Sequence, residues 1–311
     1  MNPPFSVVFL TTLIGVGQGL FLALFAVELG VAGGAIPPEP SFFVEGDILS
    51  LAFLLGGLIA SFFHLGHPER AWRAVAMWRT SWLSREVIAL PVFMASVALH
   101  AWGHYSGSSY TVAFGAAGAA MSLALFYITA MNYVCIRFLE EWATPLTIVN
   151  YTLLGCASGF TFATAFAAAR APDYAGTLSV WAIVLTVAAA IARVATLLRN
   201  ARIRGKSTLQ SAIGVHHPRV AQKAQGFMGS SFNTREFFHG KSRPVVQGVK
   251  WAFLLLAFPA PVLALAASDA GAMVQAAACA FVLQSIGLLA ERWFFFAQAN
   301  HPQNLYYQAA S

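Results

Sequence analysis

Residues 5–33 read FSVVFLTTLIGVGQGLFLALFAVELGVAG. As a helix, that run is long enough to cross about 30 Å of hydrocarbon, which takes about 20 apolar residues. It follows Asn2-Pro3-Pro4 with no basic segment ahead and no small-residue cleavage site behind, so it reads as a retained helix and not a removed leader. Seven more runs of this kind follow, at 47–66, 87–105, 111–137, 145–169, 177–198, 251–270 and 273–296. None alternates in the manner of a barrel strand. The two halves show no convincing repeat, which counts against a transporter built from inverted repeats. The predicted fold is an all-α integral membrane protein, a bundle of eight transmembrane helices forming one domain over 1–311.

Composition agrees. Hydrophobic residues make up 58% of the 311 and charged residues 10%, where a soluble domain carries about 25% charge. Mean hydropathy is +0.67. So few charges cannot cover a wet surface, which excludes a soluble enzyme, a disordered chain and a secreted disulfide scaffold. The 26 Phe against 8 Tyr and 8 Trp suit lipid-facing helices with a few interfacial anchors. Cys135, Cys156 and Cys279 each lie in an apolar run, far apart. An iron–sulfur cluster takes about four thiolates at short spacings, so these read as inert buried thiols.

The connections between runs are unequal. Assigning each Lys and Arg to its nearer membrane face puts 17 on the side of the termini and only Arg170 on the other. Cytoplasmic loops carry the Lys/Arg excess, so both termini are expected in the cytoplasm. The net charge of +6 is thereby a topology signal and calls for no nucleic acid. Two cytoplasmic connections stand out. His67 to Arg85 reads HPERAWRAVAMWRTSWLSR, whose Arg70, Arg73, Trp72, Trp78 and Trp82 suggest an amphipathic segment lying at the interface. The long basic loop over 199–250 holds 10 Lys/Arg and one acid, Glu236. Attraction to anionic lipid accounts for its charge. It does not account for GFMGSSFNTREFFHG, because Phe227, Met228, Phe232, Phe237 and Phe238 are poor choices for a loop left in water. That pattern predicts a docking surface for a cytoplasmic partner.

Ionisable groups at membrane depth default to functional candidates. Glu86 opens the third run, within LSREVIAL, and His64 closes the second, within SFFHLGHPERA. Consecutive antiparallel helices put the two at a similar depth near the cytoplasmic boundary, where a His and a carboxylate can exchange protons and bind a polar headgroup. An interfacial cap is the plainer explanation for each. Gln18, Asn132, Tyr133, Asn150 and Tyr151 are polar groups that can bond simply to a neighbouring helix, and Glu291 with Arg292 reads as an interfacial pair. A buried b-type haem needs axial ligands from facing helices at one depth. His100 and His104 share a helix face near the outer side but have no histidine opposite. The expectation is a chain without haem, cluster or bound metal.

HLGHPERAWRA, then SWLSRE opening the next run, resembles the signature of the membrane anchor subunit of dimethyl sulfoxide reductase-type enzymes. SFNTREFFHG after the sixth run is similar to the same family. The resemblance implies a haem-free, eight-span anchor in a three-subunit complex, beside a molybdopterin catalytic subunit and a four-cluster ferredoxin-like iron–sulfur subunit. The anchor exchanges electrons with menaquinone or ubiquinone and holds no substrate-level catalytic centre. It further implies that His64 and Glu86 bind quinone, with Glu86 the proton-transferring group. Arg70 and Arg85 belong to the same signature, and Gln18 resembles a glutamine of the family's first helix. Partner docking falls to Phe232, Asn233, Arg235, Phe237 and Phe238.

Charge places the docking loop in the cytoplasm, at a bacterial inner membrane. That arrangement resembles the cytoplasm-facing sulfite-oxidising members, whose anchors deliver electrons from sulfite to quinone. An anchor of a dimethyl sulfoxide or related S/N-oxide reductase is the alternative, and a non-redox transporter or scaffold a second one. Besides lipids, the partners are proteins, with no nucleic acid.

Overall fold

The computed structural model describes residues 1–35, 37–63, 65–204, 208–221, 223 and 236–306. Among these are eight helices long and apolar enough to cross a membrane: α1 (Phe5–Ala32), α2 (Pro40–Phe62), α3 (Trp82–Ser106), α4 (Thr111–Val134), α5 (Pro145–Arg170), α6 (Pro172–Asn200), α7 (Arg243–Ala266) and α8 (Met273–Ala297). No strand occurs among the described residues. Short helical turns at Pro68–Met77, Leu209–Ile213 and Pro302–Tyr306 lie in connections on the basic face.

The ends follow from local chemistry. Pro40, Pro145 and Pro172 each stand in a helix's first turn, where a missing N–H costs nothing. The Ser81 hydroxyl accepts from the Ser84 amide at 3.3 Å and starts α3. Gly107, at φ 67°, closes α3 in the left-handed conformation. The helices run past the apolar stretches at several ends. α2 starts at Pro40 and not 47, α6 at Pro172 and not 177, and α7 at Arg243 and not 251. The basic loop is correspondingly shorter than 199–250, because Arg243–Lys250 winds into the first turns of α7 behind Pro244.

The core is built around α1, which touches α2, α4, α5 and α8. Of its apolar window 72% is buried, against 28% for α4, so α1 is a central helix and not a lipid-facing one. Glycine makes this possible. A Cβ on Gly19 would overlap the Gly155 carbonyl, and one on Gly159 would overlap the Gly19 backbone. Lipid is as apolar as leucine, so helices associate in it through close packing of small residues.

α7 is broken at Ala257 and Phe258 by Pro259 and Pro261. Proline at 261 brings no N–H to the carbonyl four residues back, that of Ala257. Gln284 of α8 donates to this carbonyl at 3.4 Å and to Thr186 Oγ1 at 3.1 Å. A membrane helix tolerates a break where neighbouring groups re-satisfy the backbone in this way.

Candidate functional site

Glu86 lies in the second turn of α3 and reaches the last turns of α4. Its carboxylate accepts from the Thr129 hydroxyl at 2.6 Å and from the Asn132 amide at 2.5 Å. These donors are three apart on one helix, so they share a face and grip both oxygens. Glu86 is half-buried at the basic end of the bundle. It is a carboxylate held in position and still open on one side.

Behind Asn132 on α4, Tyr133 stacks on Tyr151 of α5 at 5.5 Å. The Arg292 guanidinium lies 3.8 Å from the Tyr151 ring centroid. Glu291 takes Arg193 at 2.8 Å and Arg292 at 3.4 Å. Arg193 and Glu291 are each 1% exposed, so Glu291 and Arg292 belong to a buried cluster and are not the expected interfacial pair. Burial also removes Arg193 and Arg292 from the exposed charge of the basic face.

The other expected site residues fall in different places. Gln18 is buried at the middle of α1, its Oε1 without a hydrogen-bond partner, far along the helix from the level of Glu86. Arg70 is exposed on the Pro68–Met77 turn, 3.6 Å from Glu69. Arg85 donates to the carbonyls of Trp78 and Arg79 at 2.9 and 2.8 Å and lies over the Trp82 ring. It folds the loop back onto the start of α3. Trp72 and Trp78 are exposed, as an interfacial segment requires. Phe237 is buried, stacked 3.8 Å from His301, so this ring is packed within the chain and is not on an outer docking face. Phe238 is half-buried. His64, Phe232, Asn233 and Arg235 lie outside the described residues, as do Phe227 and Met228.

Two hollows flank the basic end. A shallow apolar groove of about 370 Å³ between α1 and α2 is lined by Phe9, Leu13, Gly56, Ile59, Ala60 and Phe63. A wider cleft of about 770 Å³ has Arg137, Glu141, Asn200, Lys250 and His301 on its walls. Burial, with the positive amino terminus nearby, holds the His301 imidazole below its ordinary value.

The opposite end of the bundle holds a cluster that the sequence does not announce. His100 Nδ1 is 2.7 Å from Asp47 Oδ2, and its Nε2 is 3.0 Å from Glu28 Oε2. His104 Nε2 is 3.2 Å from Glu28 Oε1. Three helices supply these groups, and His100 and Asp47 are fully buried. Glu28 and Asp47 both fall within the apolar runs, so the signal that singles out Glu86, a carboxylate at membrane depth, applies to them equally. The partners of His100 and His104 across the helices are carboxylates.

The family model described as DMSO reductase anchor subunit (DmsC) matches residues 1–223 of this chain. A relative from Allochromatium vinosum, the C component of its sulfite dehydrogenase, is 48% identical over 325 aligned residues, covering all of both chains.

Proposed function

The chain belongs to the family of DMSO reductase anchor subunits, and on that premise we propose that it is the quinone-reactive anchor of a molybdopterin and iron–sulfur sulfite dehydrogenase. Membership removes the transporter and scaffold readings. The likeness to a sulfite dehydrogenase component over the full length favours sulfite over an S/N-oxide.

Glu86 carries the reading. It is a carboxylate fixed by Thr129 and Asn132 at the basic end of the bundle, the end that this reading turns to the soluble subunits and to water. Reducing a quinone to its quinol takes two electrons and two protons. In this account the electrons come from sulfite oxidation through an iron–sulfur subunit docked on the basic face. Glu86 gives a proton to one quinone oxygen and is refilled from water at that face, and the other oxygen takes the second proton from the same water. Thr129 and Asn132 keep the carboxylate aimed while its proton comes and goes. His64 hydrogen-bonds the other oxygen. The α1–α2 groove, whose lining ends at Phe63, suits the isoprenoid tail. Phe232, Asn233, Arg235 and Phe238 contribute to docking. Arg70 stays on the exposed Pro68–Met77 turn, and Gln18 serves helix packing. The basic face is cytoplasmic by its Lys/Arg excess, so the soluble subunits sit in the cytoplasm, at the inner membrane.

The test compares membranes with and without the gene for this chain. Sulfite-dependent quinone reduction is expected only with it, while sulfite oxidation by an artificial dye persists in the soluble fraction without it. Quinol-dependent reduction of an S- or N-oxide in place of sulfite oxidation would overturn the assignment.

A further inference from the structure

The Glu28–His100–Asp47–His104 cluster lies at the end of the bundle away from Glu86 and plays no part in the quinone reading. We propose that Glu28, His100 and His104 bind one divalent transition-metal ion of the zinc class, with Asp47 orienting His100. His100 and His104 are four apart on α3 and present their Nε2 atoms to one carboxylate. His100 Nε2 is 3.0 Å from Glu28 Oε2, and His104 Nε2 is 3.2 Å from Glu28 Oε1. Ligands about 2.0–2.1 Å from a tetrahedral ion stand roughly 3.3 Å apart, close to this spacing. Two imidazoles and a carboxylate are a ligand set that zinc and its neighbours favour.

Three further observations point to an ion. Asp47 Oδ2 sits 2.7 Å from His100 Nδ1. A carboxylate there keeps the proton on Nδ1 and turns the Nε2 lone pair to the opposite side, the usual support behind a metal-bound histidine. That lone pair would then face a carboxylate oxygen, an arrangement that a metal ion, like a second proton, satisfies. The contact between His104 Nε2 and Glu28 Oε1, at 3.2 Å, is buried and poorly aligned for a hydrogen bond, which suits a metal ion shared between the two residues. Finally, a Cβ on Gly115 of α4 would come within 2.7 Å of Glu28 Oε2, so glycine there leaves the carboxylate its place.

The surroundings fit. Phe21 meets His100 edge-on at 5.3 Å and Phe43 stacks on His104 at 4.4 Å, forming a dry wall. Two carboxylates with two neutral imidazoles carry a charge of −2, which a divalent ion cancels inside a membrane. The His104 side chain is 9% exposed and that of His100 is 0%, so His104 marks the open side. An ion here ties the ends of α1 and α3 together, and α2 through Asp47.

The full chain, purified in detergent and incubated with zinc, is dialysed and analysed for metal by mass spectrometry. One zinc per chain is expected, falling below a tenth in Glu28→Gln and in His104→Ala. Asp47→Asn should keep the stoichiometry and bind roughly 10–100-fold more weakly, as loss of a supporting carboxylate does. Should either ligand variant fail to insert, cobalt titration of the unaltered chain decides, since Co(II) in a site of this kind develops visible absorption bands. Folded chain that takes up no zinc and shows no cobalt bands overturns the proposal. So does zinc retained at one per chain in both folded variants.

Discussion

At the residue scale, the molecule is governed by what each buried charge finds nearby. Glu291 faces Arg193 and Arg292. Removing one partner of a buried pair leaves an uncompensated charge and typically costs about 3–5 kcal/mol. Glu291→Leu leaves Arg193 and Arg292 buried without their acid and should therefore lower the thermal unfolding temperature of the solubilised chain sharply. Adding Arg193→Leu removes one of the two stranded cations and should recover part of the loss, and an unfolding temperature unchanged by Glu291→Leu would contradict the account. These residues also show what a sequence can disclose about a site. Glu86 was legible because it opens an apolar run beside a recognisable motif. Its donors, Thr129 and Asn132, were not, because they lie 43 and 46 residues away. Asp47 and His100 are separated by 53 positions and Glu28 and His100 by 72. Pairing over such separations is decided by helix packing, which hydropathy leaves open. Nearness to a basic loop does not fix where a cation points: Arg193 is held inside the bundle by burial and Glu291.

At the scale of elements, all eight spans were legible, since each carries enough apolar residues to cross hydrocarbon. Their ends were not, because α2, α6 and α7 begin in polar turns that proline starts and hydropathy does not register. Neither was the break in α7 at Pro259 and Pro261, which hydropathy does not register. The stack of Phe237 on His301 joins the end of the basic loop to the segment after α8. The His301 imidazole sits below its ordinary value of about 6.5. The unfolded or opened form therefore binds the proton first as pH falls, and the stack loses stability below that value. Corrected for the intrinsic slowing of exchange with acidity, protection of the Phe237 and Phe238 amides should be weaker near pH 5.5 than near pH 7.5, and His301→Phe should flatten the difference. A pH response that survives the substitution would assign it to another group.

At the scale of the whole molecule, two polar centres occupy opposite ends of one apolar bundle. Glu86 belongs to the basic end and the His100 cluster to the other. The chain's first residues meet the segment after α8 at the basic end, where Met1 donates to the Ala299 carbonyl at 2.8 Å. With the basic end in the cytoplasm, a reporter active only in the periplasm should be silent after Ser311 and active near Asp173. The reverse pattern would move the soluble subunits to the other side of the membrane and remove the ground for sulfite oxidation in the cytoplasm. The central claim is narrower, that Glu86 passes protons to quinone at the basic end. Glu86→Gln keeps the size of the side chain and one of its two accepted hydrogen bonds while removing its acid–base function. In membranes bearing the assembled complex, sulfite-to-quinone turnover should fall roughly 10²–10⁴-fold, with dye-linked sulfite oxidation unchanged. Normal quinone turnover in that variant would contradict the account.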